Sequence, residues 1–209
     1  MFEAIIQWDA DVLLYFQENI RTDWLDPIMK GISILGHKGI FPILLCLILL
    51  ILKDTRRVGI VASMALLFSF LFNNLLLKNL VGRIRPYEAI DELDRLMPAE
   101  IDASFPSGHT ACVVAIGVAL LLAAKNKLPG ILMLVFSVLM GVSRLYVGAH
   151  YPTDVIVAFF TAGGMAVLAY CLFLFLEKKY YARKKVKTIE AGTGSGERPG
   201  EQPEITDQN

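Results

Sequence analysis

Cysteine, histidine and tryptophan are all scarce in this chain. Its 209 residues include three cysteines, three histidines and two tryptophans. Each cysteine lies within an apolar run, which indicates a packing role and argues against a disulfide framework or a metal centre; the three are Cys46, Cys112 and Cys171. The apolar segments hold no Asp or Glu cluster with metal-ligand spacing, so the sequence predicts no metal and no cofactor. The N-terminus also lacks the basic segment and cleavage site of a signal peptide.

Long apolar runs are abundant. Hydrophobic residues make up 55% of the chain and the mean hydropathy is +0.54, whereas soluble domains average about 45–50% apolar residues. A bilayer-spanning helix needs about 20 mostly apolar residues. Five runs reach or approach that length when their neighbours are included: Ile40–Leu52, Val58–Leu77, Ala111–Ala124, Leu128–Val147 and Val155–Leu176. The predicted fold class is therefore all-α, a polytopic membrane helix bundle with five to six spanning helices.

Residues 1–22 have a different pattern. Ile5, Trp8, Val12 and Tyr15 recur at helical spacing. Four carboxylates within the segment would make a membrane span costly; they are Glu3, Asp9, Asp11 and Glu18. The segment is therefore predicted to be an amphipathic helix that lies in the membrane interface.

The net charge is zero, but the charges are unevenly distributed. Basic residues follow three of the apolar runs, at positions 53–57, 125–127 and 178–187. If the helices alternate in direction, these three ends share one side, which the positive-inside rule makes cytoplasmic. Residues 188–209 have almost no large apolar residues and are predicted to be a disordered cytoplasmic tail that follows a membrane domain of residues 1–187.

Three polar clusters fall on the opposite, outer side. They read "KNLVGRIRP" from Lys78, "PSGHT" from Pro106 and "SRLYVGAHYPTD" from Ser143. Lys78 and Arg85 are seven residues apart, a spacing that would put them on one helix face. The topology thus predicts that groups distant in the sequence converge at one membrane depth.

These clusters predict a phosphate pocket. Lys78, Arg85 and Arg144 would bring three cations to the edge of a low-dielectric region, where a bound anion would offset their charge. A guanidinium group suits phosphate oxygens. Ser107 and Gly108 precede a predicted helix, whose free N–H groups favour an anion, and Gly108 has no Cβ to block close approach.

Two histidines complete the predicted site. His150 precedes Asp154 by four residues, and Pro152 suits the first turn of a helix that would contain Asp154. A carboxylate there can fix the tautomer of His150 and leave its other nitrogen free to attack. His109 comes from another helix and could protonate the leaving oxygen on the opposite side of the phosphorus.

The three clusters resemble the motifs of the type 2 phosphatidic acid phosphatase (PAP2) family of integral-membrane lipid phosphatases. All the motif positions are matched in order and spacing, and the resemblance covers about residues 20–176. It implies that His150 forms a phosphohistidine, that Asp154 orients it and that His109 acts as acid and then activates water. It further implies that five residues hold the phosphate, without a metal: Lys78, Arg85, Ser107, Gly108 and Arg144. Many bacterial members have six spans and an outward-facing site, whereas the first span of this chain is weak or missing.

The expected function is hydrolysis of a lipid phosphate or pyrophosphate at the outer face of a bacterial plasma membrane. Undecaprenyl pyrophosphate is favoured, because compact bacterial members of the family often act on it. Phosphatidylglycerol phosphate or phosphatidic acid is the alternative, and a protein that binds or moves phospholipid without hydrolysis is a third hypothesis. A haloperoxidase is disfavoured because those enzymes are soluble. The expected partners are the lipid and the bilayer, not nucleic acid, and the sequence does not indicate an oligomeric state.

Four features outside the motifs have simpler interpretations. The acidic loop, residues 87–104, is either a solvated connection or a partial lid over the site. Tyr146 and Tyr151 either flank the site or belong to an aromatic belt at the membrane surface, and the belt is favoured. His37 is interpreted as a loop or interface residue. Asn73 and Asn74 suit interhelical hydrogen bonds.

Overall fold

The computed structural model describes residues 2–193, and within them the chain is helical with no β-strand, which confirms the all-α prediction. The helices are α1 (Phe2–Tyr15), α2 (Asp26–Leu35), α3 (Ile40–Ile51), α4 (Arg56–Ser69), α5 (Lys78–Val81), α6 (Pro86–Ala89), α7 (Gly108–Ala123), α8 (Leu128–Tyr146) and α9 (Pro152–Thr193). Two π-helical segments, Phe16–Ile20 and Phe70–Leu77, extend α1 and α4. All the predicted site residues lie in one compact unit, Met1–Leu172, and a second unit begins at Phe173.

Several helices have the length and hydropathy of membrane spans. Arg56–Ala89, Leu128–Tyr146 and Pro152–Lys185 contain windows of mean hydropathy 2.0, 1.9 and 2.2. Helices α2 and α3 form a further candidate if their 50° bend is taken as a break within one span. Helix α7 is apolar but has only 16 residues. The membrane bundle agrees with the sequence, while the count of five to six spans stays a prediction.

Helix α7 is the central element of the compact unit. It packs against α4 and α8, and its buried positions include residues on every side of the helix. A helix that is apolar all round has no solvent-facing stripe and is stable only when neighbours or lipid surround it. Because α7 begins at Gly108, this packing fixes the position of the second motif.

The N-terminal segment is helical, as predicted. The uncovered side of α1 carries most of the apolar stripe, with Ile5, Trp8 and Tyr15 each about half exposed. The opposite side buries Leu13 and Asp9 completely. An apolar stripe that the protein leaves uncovered suits the proposed interfacial helix. The burial of Asp9 was not expected from the sequence.

At the other end, α9 continues past the predicted start of the tail. The helix runs to Thr193, so residues 188–193 of the proposed disordered tail are helical. The remaining residues of that tail, 194–209, lie outside the described part of the chain.

The aromatic-belt interpretation of two tyrosines is wrong. Tyr146 is 0% exposed and Tyr151 is 5% exposed. The hydroxyl of Tyr146 donates to Asp26 Oδ1 at 2.8 Å and accepts from the Thr22 N–H at 3.0 Å. Tyr151 packs against Leu13 and against Leu93 of the acidic loop. The two rings therefore join the N-terminal segment to the loops around the site.

Candidate active site

The first motif reaches the site in a backbone conformation that differs from the one the sequence predicted. Helix α5 ends at Val81, and Gly82 adopts a left-handed conformation with φ 58° that ends the helix. Arg85 lies beyond this break in an extended conformation, so the prediction that Lys78 and Arg85 share a helix face is wrong. The two side chains still converge, because both bind the carboxylate of Asp102, at 2.5 Å from Lys78 Nζ and 2.6 Å from Arg85 Nη2.

The second motif forms the start of α7, as predicted. Ser107 is the N-cap, and its hydroxyl oxygen lies 3.5 Å from the Thr110 N–H and 3.0 Å from Thr110 Oγ1. Its own N–H donates to the carbonyl oxygen of Asp154 at 3.1 Å, which ties the second motif to the third. Gly108 is packed closely, since a Cβ there would lie 2.8 Å from Asn74 Nδ2.

The third motif brings His150 and Asp154 together. His150 lies in the turn between α8 and α9, and Asp154 lies in the first turn of α9. Asp154 Oδ2 is 3.5 Å from His150 Nδ1 and accepts hydrogen bonds from Ser104 Oγ at 2.5 Å and from the Tyr151 N–H at 3.0 Å. Such contacts are often long in a substrate-free enzyme and tighten when the substrate binds. The side chains of His150 and Asp154 are 1% and 0% exposed.

Arg144 is held between α2 and the acidic loop. Its Nη1 donates to Ser33 Oγ at 2.6 Å, and its Nη2 donates to Glu100 Oε1 at 2.5 Å. Arg85 binds the other oxygen of Glu100 at 2.7 Å. Arg144 Nε is buried and has no hydrogen-bond partner among the described residues, so the guanidinium keeps a donor for a further acceptor.

Two carboxylates of the acidic loop, Glu100 and Asp102, thus form ion pairs with all three cations that were predicted to bind phosphate. Burial alone would raise the pKa of Glu100, but Arg144 and Arg85 outweigh it and lower the pKa from 4.5 to about 2. Burial also opposes ionisation of Asp102, and Lys78 and Arg85 lower its pKa from 3.8 to about 2. Both groups are therefore carboxylates at neutral pH. The loop is more than a solvated connection, although its role as a lid stays a prediction.

The two motif histidines face a common space. Nε2 of His109 and Nε2 of His150 are buried without a hydrogen-bond partner in the described part of the chain. One ligand atom from each histidine and one from Glu100 all lie within 4.8 Å of one another. Burial, followed by the charges of Arg144 and Arg85, holds the pKa of His150 well below 6.5, so this imidazole is neutral. Its free nitrogen is available to attack an electrophile or to bind a metal ion.

A cavity of about 730 Å³ opens from this space. Its polar end includes Lys78, Glu100 and His109, and also His37, whose ring centroid is 6.4 Å from that of His109. Its walls are mainly apolar side chains of two helices, α3 and α4, among them Ile43, Leu47, Leu50, Leu66 and Leu67. From Lys78 to Ser63, the cavity follows one side of the continuous helical stretch, along Asn74, Phe70 and Leu67. A lining with polar groups at one end suits a molecule with a polar head and an apolar chain.

Sequence reasoning missed several residues of the site. Ser104 lies two residues before Pro106, where the second motif begins, and could have been included on that ground. Glu100 and Asp102 belong to the acidic loop, but its composition does not indicate which of its carboxylates turn inward. Gly36 had no sequence signal; a Cβ there would lie 2.8 Å from His109 Cδ2. Asn73, by contrast, makes the expected interhelical bond, accepting from Thr161 Oγ1 at 2.6 Å.

Chemically, the arrangement combines three features: an anion-binding group of cations, a neutral imidazole oriented by a carboxylate, and a second imidazole close to the first. Together they can bind a phosphate, attack it and supply a proton to the leaving group.

Comparison with known proteins points to the same chemistry. Over 145 residues the chain is 31% identical to an undecaprenyl-diphosphatase of Sulfolobus acidocaldarius, covering 69% of each protein. It is 34% identical over 153 residues to phosphatidylglycerophosphatase B of Bacillus subtilis, covering 67% of this chain and 71% of that protein.

A solved structure and a family profile agree. The crystal structure of a PAP2-type phosphatidylglycerolphosphate phosphatase from Bacillus subtilis matches with a TM-score of 0.68 and 28% identity, over 84% of this chain and 87% of that one. The profile of the PAP2 superfamily matches residues 58–178, which is more than half of the chain and includes all three motifs. The chain therefore belongs to the PAP2 superfamily.

Proposed function

We propose that this protein is a membrane lipid phosphatase that hydrolyses a lipid phosphate or pyrophosphate monoester through a phosphohistidine. The observation that supports this most directly is the pair of buried imidazole nitrogens, on His109 and His150, to which no described residue bonds and which lie beside three cations. A protein that only bound or moved phospholipid would need the cations but not a nucleophile paired with an acid. The geometry therefore favours hydrolysis over transport.

In the first step, the lone pair of His150 Nε2 attacks the phosphorus. The P–N bond forms as the P–O bond to the lipid breaks, and His109, which the negative charge of the bound phosphate keeps protonated, gives its proton to the departing oxygen. Asp154 Oδ2 accepts a hydrogen bond from His150 Nδ1–H, which fixes the tautomer and stabilises the positive charge that develops on the ring. Arg144, Arg85 and Lys78 stabilise the charge on the equatorial phosphate oxygens.

In the second step, water replaces the histidine. His109, now neutral, accepts a proton from a water molecule whose oxygen attacks the phosphorus. The P–N bond breaks, His150 regains its lone pair, and inorganic phosphate leaves. The donor and the acceptor of the proton are thus the same imidazole, so each cycle restores the starting protonation states.

The charges around the site support metal independence. One ligand atom each from Glu100, His109 and His150 could approach a metal ion. However, both oxygens of Glu100 are bound to arginines, and Lys78 lies in the same cavity. Three cations would repel a divalent ion and already supply the electrostatic stabilisation that such an ion provides elsewhere. We therefore expect hydrolysis to continue in a chelator.

The cavity supports a lipid as substrate, because its apolar walls along α3 and α4 suit a hydrocarbon chain. We favour undecaprenyl pyrophosphate, in line with the similarity to the Sulfolobus undecaprenyl-diphosphatase. The likeness to the phosphatidylglycerolphosphate phosphatase structure supports the second candidate, a glycerolipid phosphate. The polar end binds only the phosphate that the two substrates share.

The site is proposed to face outward. Its residues lie at the α5–α7 and α8–α9 connections, whereas the basic residues at positions 53–57 and 125–127 lie at the α3–α4 and α7–α8 connections, at the opposite helix ends. The positive-inside rule assigns the basic ends to the cytoplasm.

Phosphate release by the full chain purified in detergent with EDTA tests the proposal. Undecaprenyl pyrophosphate, phosphatidylglycerol phosphate and phosphatidic acid are compared, with His150→Ala as the inactive control, its folding checked by thermal unfolding. We expect metal-independent release that the control abolishes, fastest on undecaprenyl pyrophosphate. Full activity of His150→Ala would remove the nucleophile assignment. Binding of the lipids without release by the wild type would support the transport hypothesis instead.

A further inference from the structure

A buried carboxylate on the N-terminal helix has no place in the mechanism above. Asp9 is 0% exposed, although the other acids of the segment, Glu3, Asp11 and Glu18, are exposed. Its Oδ1 accepts from the Thr153 N–H at 3.0 Å, and its Oδ2 accepts from Thr153 Oγ1 at 2.5 Å. A carboxylate this deeply buried needs a countercharge, and Arg83 supplies it at 2.6 Å.

Arg83 connects this carboxylate to the proposed catalytic one. Its Nη2 binds Asp9, while its Nη1 donates to Asp154 Oδ1 at 2.8 Å and to Thr153 Oγ1 at 2.7 Å. The guanidinium carbon lies 3.7 Å from the ring centroid of Tyr151, next to His150. Arg83 stands at one of the unspecified positions of the first motif, between Lys78 and Arg85.

The two oxygens of Asp154 therefore have different tasks. Oδ2 faces His150 and is also held by Ser104 and by the Tyr151 N–H. Oδ1 is held by Arg83. If Oδ1 lost this partner, the carboxylate could rotate about its Cβ–Cγ bond, and Oδ2 would leave the position in which it meets His150 Nδ1.

We propose that Arg83 and Asp9 are positioning residues for the reaction. Asp9 orients the guanidinium of Arg83, and Arg83 fixes Asp154 in the rotamer that orients the nucleophile His150. The inference rests on the proposed function, because it assumes that His150 attacks the phosphorus. It also gives the N-terminal helix a part in catalysis that none of the three motifs contains.

Charge and packing can be separated at position 83. Arg83→Met keeps an apolar side chain over Tyr151 but removes the charge, whereas Arg83→Lys keeps the charge and can bind only one carboxylate well. Misplacement of a catalytic group by about 1 Å can cost on the order of 100-fold in rate. We expect a loss in kcat of that size for Arg83→Met, KM within about threefold of the wild type because Arg83 does not touch the phosphate, and partial recovery of kcat in Arg83→Lys.

The experiment measures kcat, KM, phosphohistidine formation after rapid alkaline quench, and thermal unfolding for Arg83→Met, Arg83→Lys and Asp9→Asn. Arg95→Gln is the matched control, since this exposed arginine also lies over a tyrosine ring, 5.5 Å from the centroid of Tyr87. Asp9→Asn should lower kcat less than Arg83→Met, because the Arg83–Asp154 pair remains. Slower phosphohistidine formation in the two charge-removing variants, with Arg95→Gln unaffected, supports the inference.

Three results would overturn it. Normal kcat in Arg83→Met, with an active wild type, refutes the positioning role and leaves the proposed function intact. A loss of kcat that follows only the loss of thermal stability, with no recovery in Arg83→Lys, assigns Arg83 a structural role. A wild type that forms no phosphohistidine and releases no phosphate refutes the proposed function, and the inference falls with it.

Discussion

Replacement of Glu100 by glutamine should tighten phosphate binding. In the substrate-free structure Glu100 binds Arg144 at 2.5 Å and Arg85 at 2.7 Å, and these are two of the three cations proposed to hold the phosphate. A substrate phosphate and the Glu100 carboxylate therefore compete for the same donors. The measured free energy of phosphate binding is therefore the difference between the contacts that the arginines make with the phosphate and those that they give up with Glu100.

The size of the effect follows from these two contacts. A hydrogen bond to a charged group contributes about 1.5–3 kcal/mol. The Glu100 side chain is only 23% exposed, so little of that value is lost to solvent screening. The released carboxylate regains hydration, and glutamine keeps a weaker, neutral acceptor for one arginine. We therefore assign about 1.5 kcal/mol to the change, which corresponds to roughly a tenfold lower KM and a tenfold lower inhibition constant for inorganic phosphate.

The assay is steady-state hydrolysis with inorganic phosphate as product inhibitor, which probes the head-group site without a lipid chain. Glu88→Gln is the matched control, because Glu88 lies at the start of the same loop and is exposed. The pKa of Glu100 is about 2, so Glu100 keeps its charge from about pH 5 to about pH 8. The ratio between the phosphate inhibition constants of the wild type and the variant should therefore stay constant over that range. An unchanged or higher phosphate inhibition constant in Glu100→Gln would refute the competition.

Two further variants test Arg144 as a phosphate-binding residue and His109 as the acid, and the low pKa of Glu100 gives a prediction about stability. Arg144→Lys should lower kcat/KM severely, since lysine cannot contact Ser33 and a phosphate together in the planar geometry of a guanidinium; near-normal kcat/KM would mean that Arg144 does not clamp phosphate. Gly36→Ala should lower kcat, because its Cβ would lie 2.8 Å from His109 Cδ2 and 2.9 Å from Met140 Cε; an unchanged kcat would show that the protein accommodates the methyl group without displacing the His109 ring from its catalytic position. Because the folded-state pKa of Glu100 lies below 4.5, its stabilising contribution is present above that pH and is lost as the pH falls toward 2, so the difference in thermal unfolding temperature between wild type and Glu100→Gln should shrink over that range.

The sequence was sufficient to predict the position of a site residue where that position depends on the residue type and on a nearby helix start. Pro152 and Ser107 mark helix starts that the structure confirms, and these starts bring Asp154 and Gly108 to the site. It was insufficient where a side chain's partner came from a distant segment. Periodicity could not foresee that Asp9 turns inward, because an acid on an amphipathic helix is usually solvated, and its partner Arg83 is 74 residues away.

The same limit explains why the correct convergence of Lys78 and Arg85 was predicted for the wrong reason. Seven-residue spacing assumes an unbroken helix, whereas Gly82 ends it and Asp102 draws the two side chains together. Asp102 lies in an irregular loop, where hydrophobic patterning gives no register. The acids that neutralise a buried cationic site are thus the part of such a site that sequence patterns specify least.

Competition by Glu100 also bears on how the enzyme distinguishes its substrate from the bulk bilayer. A phosphate monoester has a charge of about −1.5 to −2 at pH 7, whereas a phosphodiester lipid and Glu100 have one negative charge each. When a monoester displaces Glu100, the negative charge beside Arg144 and Arg85 increases, whereas a diester that displaces Glu100 leaves this charge unchanged. The arginines therefore bind the Glu100 carboxylate as well as they bind a diester, and Glu100 excludes diesters from the site. Excess phosphatidylglycerol in mixed micelles should therefore inhibit Glu100→Gln competitively and leave the wild type almost unaffected. Equal inhibition of both proteins would mean that the diester is excluded by shape and not by charge.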